Sequence, residues 1–214
     1  MFLNRRISIP RHAAAMRRGR GFTMIEVMIT VLVLSVGMLA IVSLQATAKR
    51  STHQAWQRSL AVNLADSIIE RIRINPSQAA SYATGLGASA LGGGKKGTPS
   101  TNCRTNACDA DKVVTWDLWQ WEQRLDGAAA VDPDNKKAGG LIDPHGCIVF
   151  EEAGASTPNT GKIRVFVTWQ GLTETTDAVQ DANLVCGPDD ADSQATRRQV
   201  VASSYVVNEG ELNP

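Results

Sequence analysis

Residues 27–48 read VMITVLVLSVGMLAIVSLQATA, 22 positions without a charge. As a helix rising 1.5 Å per residue, the run predicts a length of roughly 33 Å, close to the hydrocarbon thickness of about 30 Å in a bilayer. Beyond it the pattern becomes one-sided. Trp56, Leu60, Leu64, Ile68 and Ile72 recur every four residues with Ala61, Ala65 and Ile69 beside them, and Arg58, Asn63, Asp66, Glu70, Arg71 and Arg73 fill the other face. The two patterns join in one helix over about residues 22–74, roughly 78 Å long, with a stop predicted at Asn75-Pro76. No compact soluble domain needs such a rod. Gly37, inside the run, weakens it by about 1 kcal/mol relative to alanine, which suits either a point of bending or a close helix contact.

Residues 77–101, SQAASYATGLGASALGGGKKGTPST, are rich in Gly, Ala and Ser and predict a long flexible loop. In DADKVVTWDLWQWEQRL, Val113, Trp116, Leu118 or Trp119, and Leu125 fall near helical spacing. That predicts a short helix opened by an N-cap at Asp109 or Asp111, whose three tryptophans suit a core better than an exposed stripe. The period then drops to two. GCIVFEE (146–152), KIRVFVTWQG (162–171) and RRQVVASSYVVN (197–208) are β-rich, and in the second Ile163, Val165, Val167 and Trp169 alternate with Arg164, Phe166, Thr168 and Gln170. The turn-prone AGASTPNTG joins the first two as an antiparallel hairpin, and the third completes a sheet of three or four strands. The predicted fold class is α+β: a long N-terminal α-helix, one half membrane-spanning and one half amphipathic, packed on a small antiparallel β-sheet head.

At 214 residues and 43% apolar composition, the chain can hold one ordinary domain plus extra elements. Arg5, Arg6, Arg11, Arg17, Arg18 and Arg20 precede the apolar run with no acid among them. Removing these six from 22 basic residues leaves 16 against 21 acidic ones, so the rest carries about −5. Nucleic acid is therefore not expected as a direct partner. The arginines keep the amino end cytoplasmic by the positive-inside rule. Cys103, Cys108, Cys147 and Cys186 then lie on the oxidising side, where an even count reads as disulfides. Four cysteines allow three pairings, and nearness along the chain favours Cys103 with Cys108 and Cys147 with Cys186. The second bridge would close a loop of about 40 residues and stabilise by a few kcal/mol.

Glu26 stands at the mouth of the apolar run, where a carboxylate in hydrocarbon costs several kcal/mol unless paired. A secretory signal peptide does not fit, because its apolar region is about 7–15 residues long and ends in a small-residue cleavage site that is missing here. A plain membrane anchor fits the length and the arginines but leaves Glu26 unexplained. Cleavage after Gly21 would supply a partner, since the new α-amine of Phe22 on a neighbouring copy could meet Glu26. That pairing requires many helices packed side by side, so the placement of these three residues is an assembly signal.

The stretch RGRGFTMIEVMITVLVLSVGMLA resembles the class III leader and first helix of type IV pilins and type II secretion pseudopilins. Gly21 matches the residue before the cleavage point, Phe22 the first mature residue and Glu26 the fifth. The resemblance implies cleavage on the cytoplasmic face and N-methylation of Phe22 by a prepilin peptidase/N-methyltransferase, and a contact of Glu26 that docks the subunit in a filament. It divides the chain into a leader (1–21), a transmembrane and filament-core half-helix (22–48), an amphipathic half-helix (49–74) and a disulfide-bearing α+β head (75–214). A 21-residue leader is long for this family, and initiation at Met16 would give the compact MRRGRG. Further along, LAVNLADSIIERIRINP, the two-cysteine segment with DLWQWEQRL, GCIV and IRVFVTWQG together are similar to minor pilins of the PilV, or type IV pilus modification, family. The implied partners are other minor pilins and the major pilin, the inner-membrane assembly platform and membrane lipid. The implied location is the inner membrane, single-pass with the head periplasmic, and then the surface pilus, with effects on adhesion, twitching motility or DNA uptake.

Enzymatic chemistry has little to stand on. His12, His53 and His145 are scattered, and no nucleophile elbow, P-loop or H-E-x-x-H occurs. Cys103-x4-Cys108 with His145 near Cys147 lacks paired zinc-ligand spacing, and Asp189, Asp190 and Asp192 lack the glycine and terminal glutamate of an EF-hand loop. The expectation is a structural protein without cofactor or metal. Its rivals are a minor pseudopilin of a type II secretion system, which shares every feature up to residue 74, and a membrane-anchored periplasmic enzyme.

Overall fold

A single α-helix, α1, runs from Met24 to Ile74 in the computed structural model of the chain, which describes residues 21–128, 133–134, 139–174, 185–187 and 195–211. The chain divides into two compact units, Met1–Lys49 and Arg50–Pro214. In the first, every described side chain is exposed. The leader arginines, Met16, His12, Asp189, Asp190 and Asp192 lie outside the described residues.

In the second unit α1 buries Gln57, Ala61, Leu64, Ala65, Ile68, Ile69 and Ile72. The stripe starts differently from the sequence expectation: Trp56 is 49% exposed and Gln57 only 1%. Trp56 instead stacks on His53, ring centroids 5.9 Å apart. The helix stops where expected, since Pro76 begins a 3-10 helix, Pro76–Tyr82, and proline cannot donate to the α ladder. Helix α2, Ala110–Leu125, is opened by Asp109, whose carboxylate accepts from the Lys112 amide at 3.0 Å. The Lys112 side chain beside it holds that carboxyl below its usual range. Trp121 is fully buried, and its indole N–H donates to the Leu64 carbonyl at 2.9 Å, joining α2 to α1. Trp116 is also buried, whereas Trp119 is half-buried.

The sheet is three-stranded and antiparallel in the order β1-β2-β3, with β1 at His145–Glu152, β2 at Gly161–Gln170 and β3 at Arg197–Val206. Val165 sits opposite Ile148 on one side and Ala202 on the other. Its core face, with Ile148, Ile163, Val165, Val167 and Trp169, shares one apolar cluster with the inner faces of α1 and α2. The head is thus α+β, with the long amino-terminal helix packed with a small antiparallel sheet. The alternation along β2 does not leave a wet second face, because Phe166 and Thr168 are buried too. Phe166 packs with Ala90, Cys147 and Cys186, so the sheet is covered on both sides over this stretch.

The cover is a strap from the segment the sequence predicted to be a flexible loop. The amides of Thr84 and Gly85 donate to the Ile148 carbonyl at 3.0 and 3.2 Å, and Leu91 exchanges both backbone bonds with Gly146 at 2.8 Å. Gly92 takes φ +131°, and a Cβ there would lie 2.1 Å from the Pro144 carbonyl, so only glycine lets the strap turn over the start of β1. Glu122 then fixes the next turn. Its wholly buried carboxylate accepts from the amides of Gly92 and Lys95 at 3.0 and 2.9 Å and from that of Lys96 at 2.6 Å. Hydrogen bonds to a charged acceptor contribute about 1.5–3 kcal/mol, enough to order a glycine-rich turn that gains little from side-chain burial.

Two further polar junctions tie elements together. Asp117 on α2 accepts from the Tyr82 hydroxyl at 2.8 Å and pairs with Arg71 of α1, which also donates to Gln120 at 2.9 Å. Burial pushes the Tyr82 phenol well above its ordinary value, so it stays a donor. At the other end, Arg197 of β3 is 1% exposed and donates to Asp143 at 2.7 Å and to His145 Nδ1 at 3.2 Å. A guanidinium only donates, so Nδ1 accepts and the imidazole is neutral with its proton on Nε2.

Gly146 packs so tightly that a Cβ would meet Trp121 Cη2 at 2.5 Å and Leu125 Cδ1 at 2.7 Å, both side chains being buried. Gly146→Ala is expected to lower unfolding stability by about 1–3 kcal/mol through overpacking, read as the urea midpoint of the full chain in detergent. A second prediction concerns acid. Burial lowers the His145 pKa below 6.5, Arg197 adds to the fall, and Asp143 opposes it. The unfolded chain then binds the extra proton, so stability is whole above pH 6.5 and declines as pH falls through the folded-state value. The melting temperature should drop between pH 7.5 and 5.5, and His145→Gln should flatten that drop.

Candidate functional site at the amino-terminal helix

The residues singled out for processing and docking, Gly21, Phe22 and Glu26, fall within six positions of the chain. Gly21 and Phe22 precede α1 outside any regular element, and Glu26 is in its first turn. Phe22 is 84% exposed, and a Cβ on Gly21 would meet nothing within 4 Å. A peptidase therefore meets no steric obstacle from the described residues at the Gly21–Phe22 bond. Thr23 supplies the cap: the Glu26 amide donates to its hydroxyl at 3.3 Å and to its carbonyl at 3.1 Å. Thr23-x-x-Glu26 is the sequence pattern of a capping box, and an acid in the first turn also complements the positive end of the helix dipole. Glu26 thus has a local role that the sequence reading did not weigh, beside any partner it finds on another chain.

After Glu26 the helix offers only apolar surface. Val27, Ile29, Leu32, Leu34, Val36, Leu39, Val42 and Leu44 are each at least half exposed, and mean hydropathy reaches 2.7 over an 18-residue window of which none is buried. Three of the four hydroxyls in this span bond to carbonyls of their own helix: Thr30 donates to the Val27 carbonyl at 2.8 Å, Ser35 to that of Leu32 at 2.7 Å and Thr47 to that of Ser43 at 3.1 Å. Such back-bonding removes the demand for water. The surface left is far larger than the apolar patch a monomeric soluble protein exposes. Lipid or other helices must cover it. Gly37 leaves its helix unbroken and has nothing near its Cβ position within the chain.

The cysteines are paired in the structure, Cys103 with Cys108 at a Cα separation of 5.5 Å and Cys147 with Cys186 at 5.8 Å. The second bridge is wholly buried and ties β1 to the segment that pairs with Gly87 of the strap. The first closes a surface loop just before α2. Among the described residues no three metal-ligating side chains gather. His53 is on α1, while His145 is engaged by Arg197 at the start of β1. The structural work of Glu122 and Asp117 left no signal in the hydrophobic pattern beyond their falling on the buried side of α2.

Two family models match the chain. Residues 16–42 match a model of the prokaryotic N-terminal methylation motif, and residues 43–119 match a Tt1218-like model, described as type IV pilin Tt1218. No curated protein and no solved structure matches. The two matches adjoin, running from the arginines before Gly21 through α1 into α2. Over residues 16–119 the chain is thus similar to type IV pilins, a likeness that supports a structural pilin role.

Proposed function

We propose that the chain is a minor pilin of the PilV type, made as an inner-membrane precursor and then built into a type IV pilus, where it takes part in priming assembly. The observation that carries this reading is the uncovered apolar helix opened by one carboxylate four residues from a cleavable Gly21–Phe22 bond. In the precursor the leader (1–21) holds the amino end at the cytoplasmic face and residues 22–48 lie in lipid. The amphipathic half, 49–74, carries the periplasmic head, 75–214. Cleavage after Gly21 creates an α-amine on Phe22, and N-methylation leaves that amine cationic.

In the bilayer, Glu26 sits near the interface, where its carboxylate can keep water. In a filament the same position is surrounded by neighbouring helices, and an unpaired buried charge would cost several kcal/mol. The Phe22 ammonium of an adjacent subunit, one helical turn away in sequence, is the cation that removes this cost. Docking is then electrostatically selective: a helix shifted by one turn along its neighbour leaves both charges unpaired. Adhesion, twitching motility or DNA uptake would follow from the assembled fibre.

Gly21→Ala should leave the uncleaved precursor in the membrane, read by intact mass as a product that keeps its leader and lacks N-methylation. Normal processing of that variant would refute the leader assignment. Glu26→Val should be cleaved and inserted normally yet fall tenfold or more in sheared pili, measured by immunoblot against the major pilin. Unchanged incorporation would remove the docking role. Deletion of the gene should reduce surface piliation, whereas intact pili with lost secretion would identify a secretion pseudopilin instead.

A further inference from the structure

Residues 22–214 carry about five negative charges in excess, yet one concavity in this part of the chain is cationic. It is a cleft of about 650 Å³ lined by Arg71, Arg104, Arg124, Trp116, Trp119 and Asp117. Three guanidiniums face one carboxylate, an excess of two positive charges. Asp117 and Gln120 hold Arg71 in place, while neither Arg104 nor Arg124 has a salt bridge among the described residues. Desolvation and the neighbouring charges of Arg71 and Arg104 lower the pKa of Arg124, against the pull of Asp117. The cluster is therefore mutually repulsive, and an anion would relieve it. Between the arginines the rings of Trp116 and Trp119 pack 5.0 Å apart at 43°. Arg104 is carried within the Cys103–Cys108 loop, whose bridge restricts its backbone beside α2.

The volume is that of a small-ligand pocket, which spans about 300–1,000 Å³. Its chemistry asks for a planar oxyanion that a guanidinium fork can grip in two-point fashion, attached to a body with an apolar face for the indoles. A uronic sugar has both, with one carboxylate per ring and a C–H face that lies flat on an aromatic. A nucleic-acid strand fits less well. It brings a charge every few ångströms, and beyond the cleft it would meet the acidic surface of the head rather than a basic track.

We infer that the Arg71/Arg104/Arg124 cleft with Trp116 and Trp119 is a binding site for uronate residues of an acidic polysaccharide. This goes beyond the filament role and does not need incorporation into a pilus, so it can be tested on the full chain in detergent. The carboxylate bridges Arg104 and Arg124, and Trp119, the more exposed of the two indoles, offers the sugar its platform. Arg71, already held by Asp117, adds field without moving.

The probe is trigalacturonate, titrated by calorimetry into the wild type, Arg104→Gln/Arg124→Gln and Trp119→Leu, with circular dichroism to show that each variant is folded. Trigalacturonate should bind saturably, and the double arginine variant should weaken it at least tenfold. Trp119→Leu should weaken it several-fold, and the wild-type affinity should fall between 50 and 500 mM NaCl. Cys103→Ser/Cys108→Ser should reduce affinity while leaving the Cys147–Cys186 core folded. Absence of saturable binding, equal affinity of the double arginine variant, or equal affinity for neutral trigalactose would each overturn the proposal. Tighter binding of oligodeoxythymidylate than of trigalacturonate would overturn it in favour of a nucleic-acid site.

Discussion

An apolar helix surface that the chain cannot cover by itself is the constraint on which the rest depends. From Val27 to Leu44 the large side chains stand open, and burying apolar area is worth about 25 cal/mol per Å². Thirteen such side chains on one unbroken helix surface make solution in water untenable. In the function proposed above, lipid satisfies them first and neighbouring helices later, so that one segment would serve as membrane anchor and as filament core. The internal bonding of Thr30, Ser35 and Thr47 suits both settings, because neither supplies water. What distinguishes the two settings is charge. The bilayer interface lets Glu26 stay hydrated, whereas a packed core demands a partner.

The head meets the opposite problem. It is a three-stranded sheet with one good helix face to pack on, and small sheets of this kind are marginal without more cover. The strap from Thr84 to Lys96 supplies it on the far face, and buried polar groups hold the strap rather than large side chains. Glu122 grips three amides from beneath, and Cys147–Cys186 clamps the strap's partner segment onto β1. In the chain-entropy account a loop closed over about 40 residues gains about 4 kcal/mol, against about 2 for the six-residue loop at Cys103. The two bridges therefore differ in purpose: the buried one holds the fold and the exposed one shapes a surface.

Much of this was legible from periodicity. The helices and the three strands follow from spacing that repeats at 3.6 or 2 residues, the end of α1 from Asn75-Pro76, and the cap of α2 falls on Asp109, one of the two aspartates the sequence offers. The candidates for processing and docking, Gly21, Phe22 and Glu26, stand out in the sequence because a lone acid beside a long apolar run is energetically anomalous. The misses share a cause. Gly92 to Lys96 read as flexible because glycine composition reports local backbone freedom, while the group that removes that freedom, Glu122, lies about 30 residues away in sequence. Burial of Phe166 and Thr168 was hidden for the same reason, since the strap that covers them had no hydrophobic period of its own. At the start of the head, the swap of Trp56 for Gln57 on the buried side is a tertiary choice that a four-residue repeat cannot resolve. The cap made by Thr23 is legible in the sequence, since Thr-x-x-Glu is a local motif.

The place of Glu26 in the first turn of its own helix is compatible with the docking role proposed for it, and the two together would let an acid be kept at this position through two environments. A first-turn carboxylate interacts with the free amides and the positive end of its own helix, an interaction worth about 0.3–1 kcal/mol at exposed sites. That local term persists in the membrane, so the acid is never wholly unsupported before a neighbour arrives. It is too small to offset complete burial, which costs several kcal/mol. The helix dipole therefore permits the precursor, and only an external cation permits the packed state. Because the local contribution is fixed while the external one would depend on register, the difference between them would make the carboxylate selective in the proposed docking rather than merely tolerated.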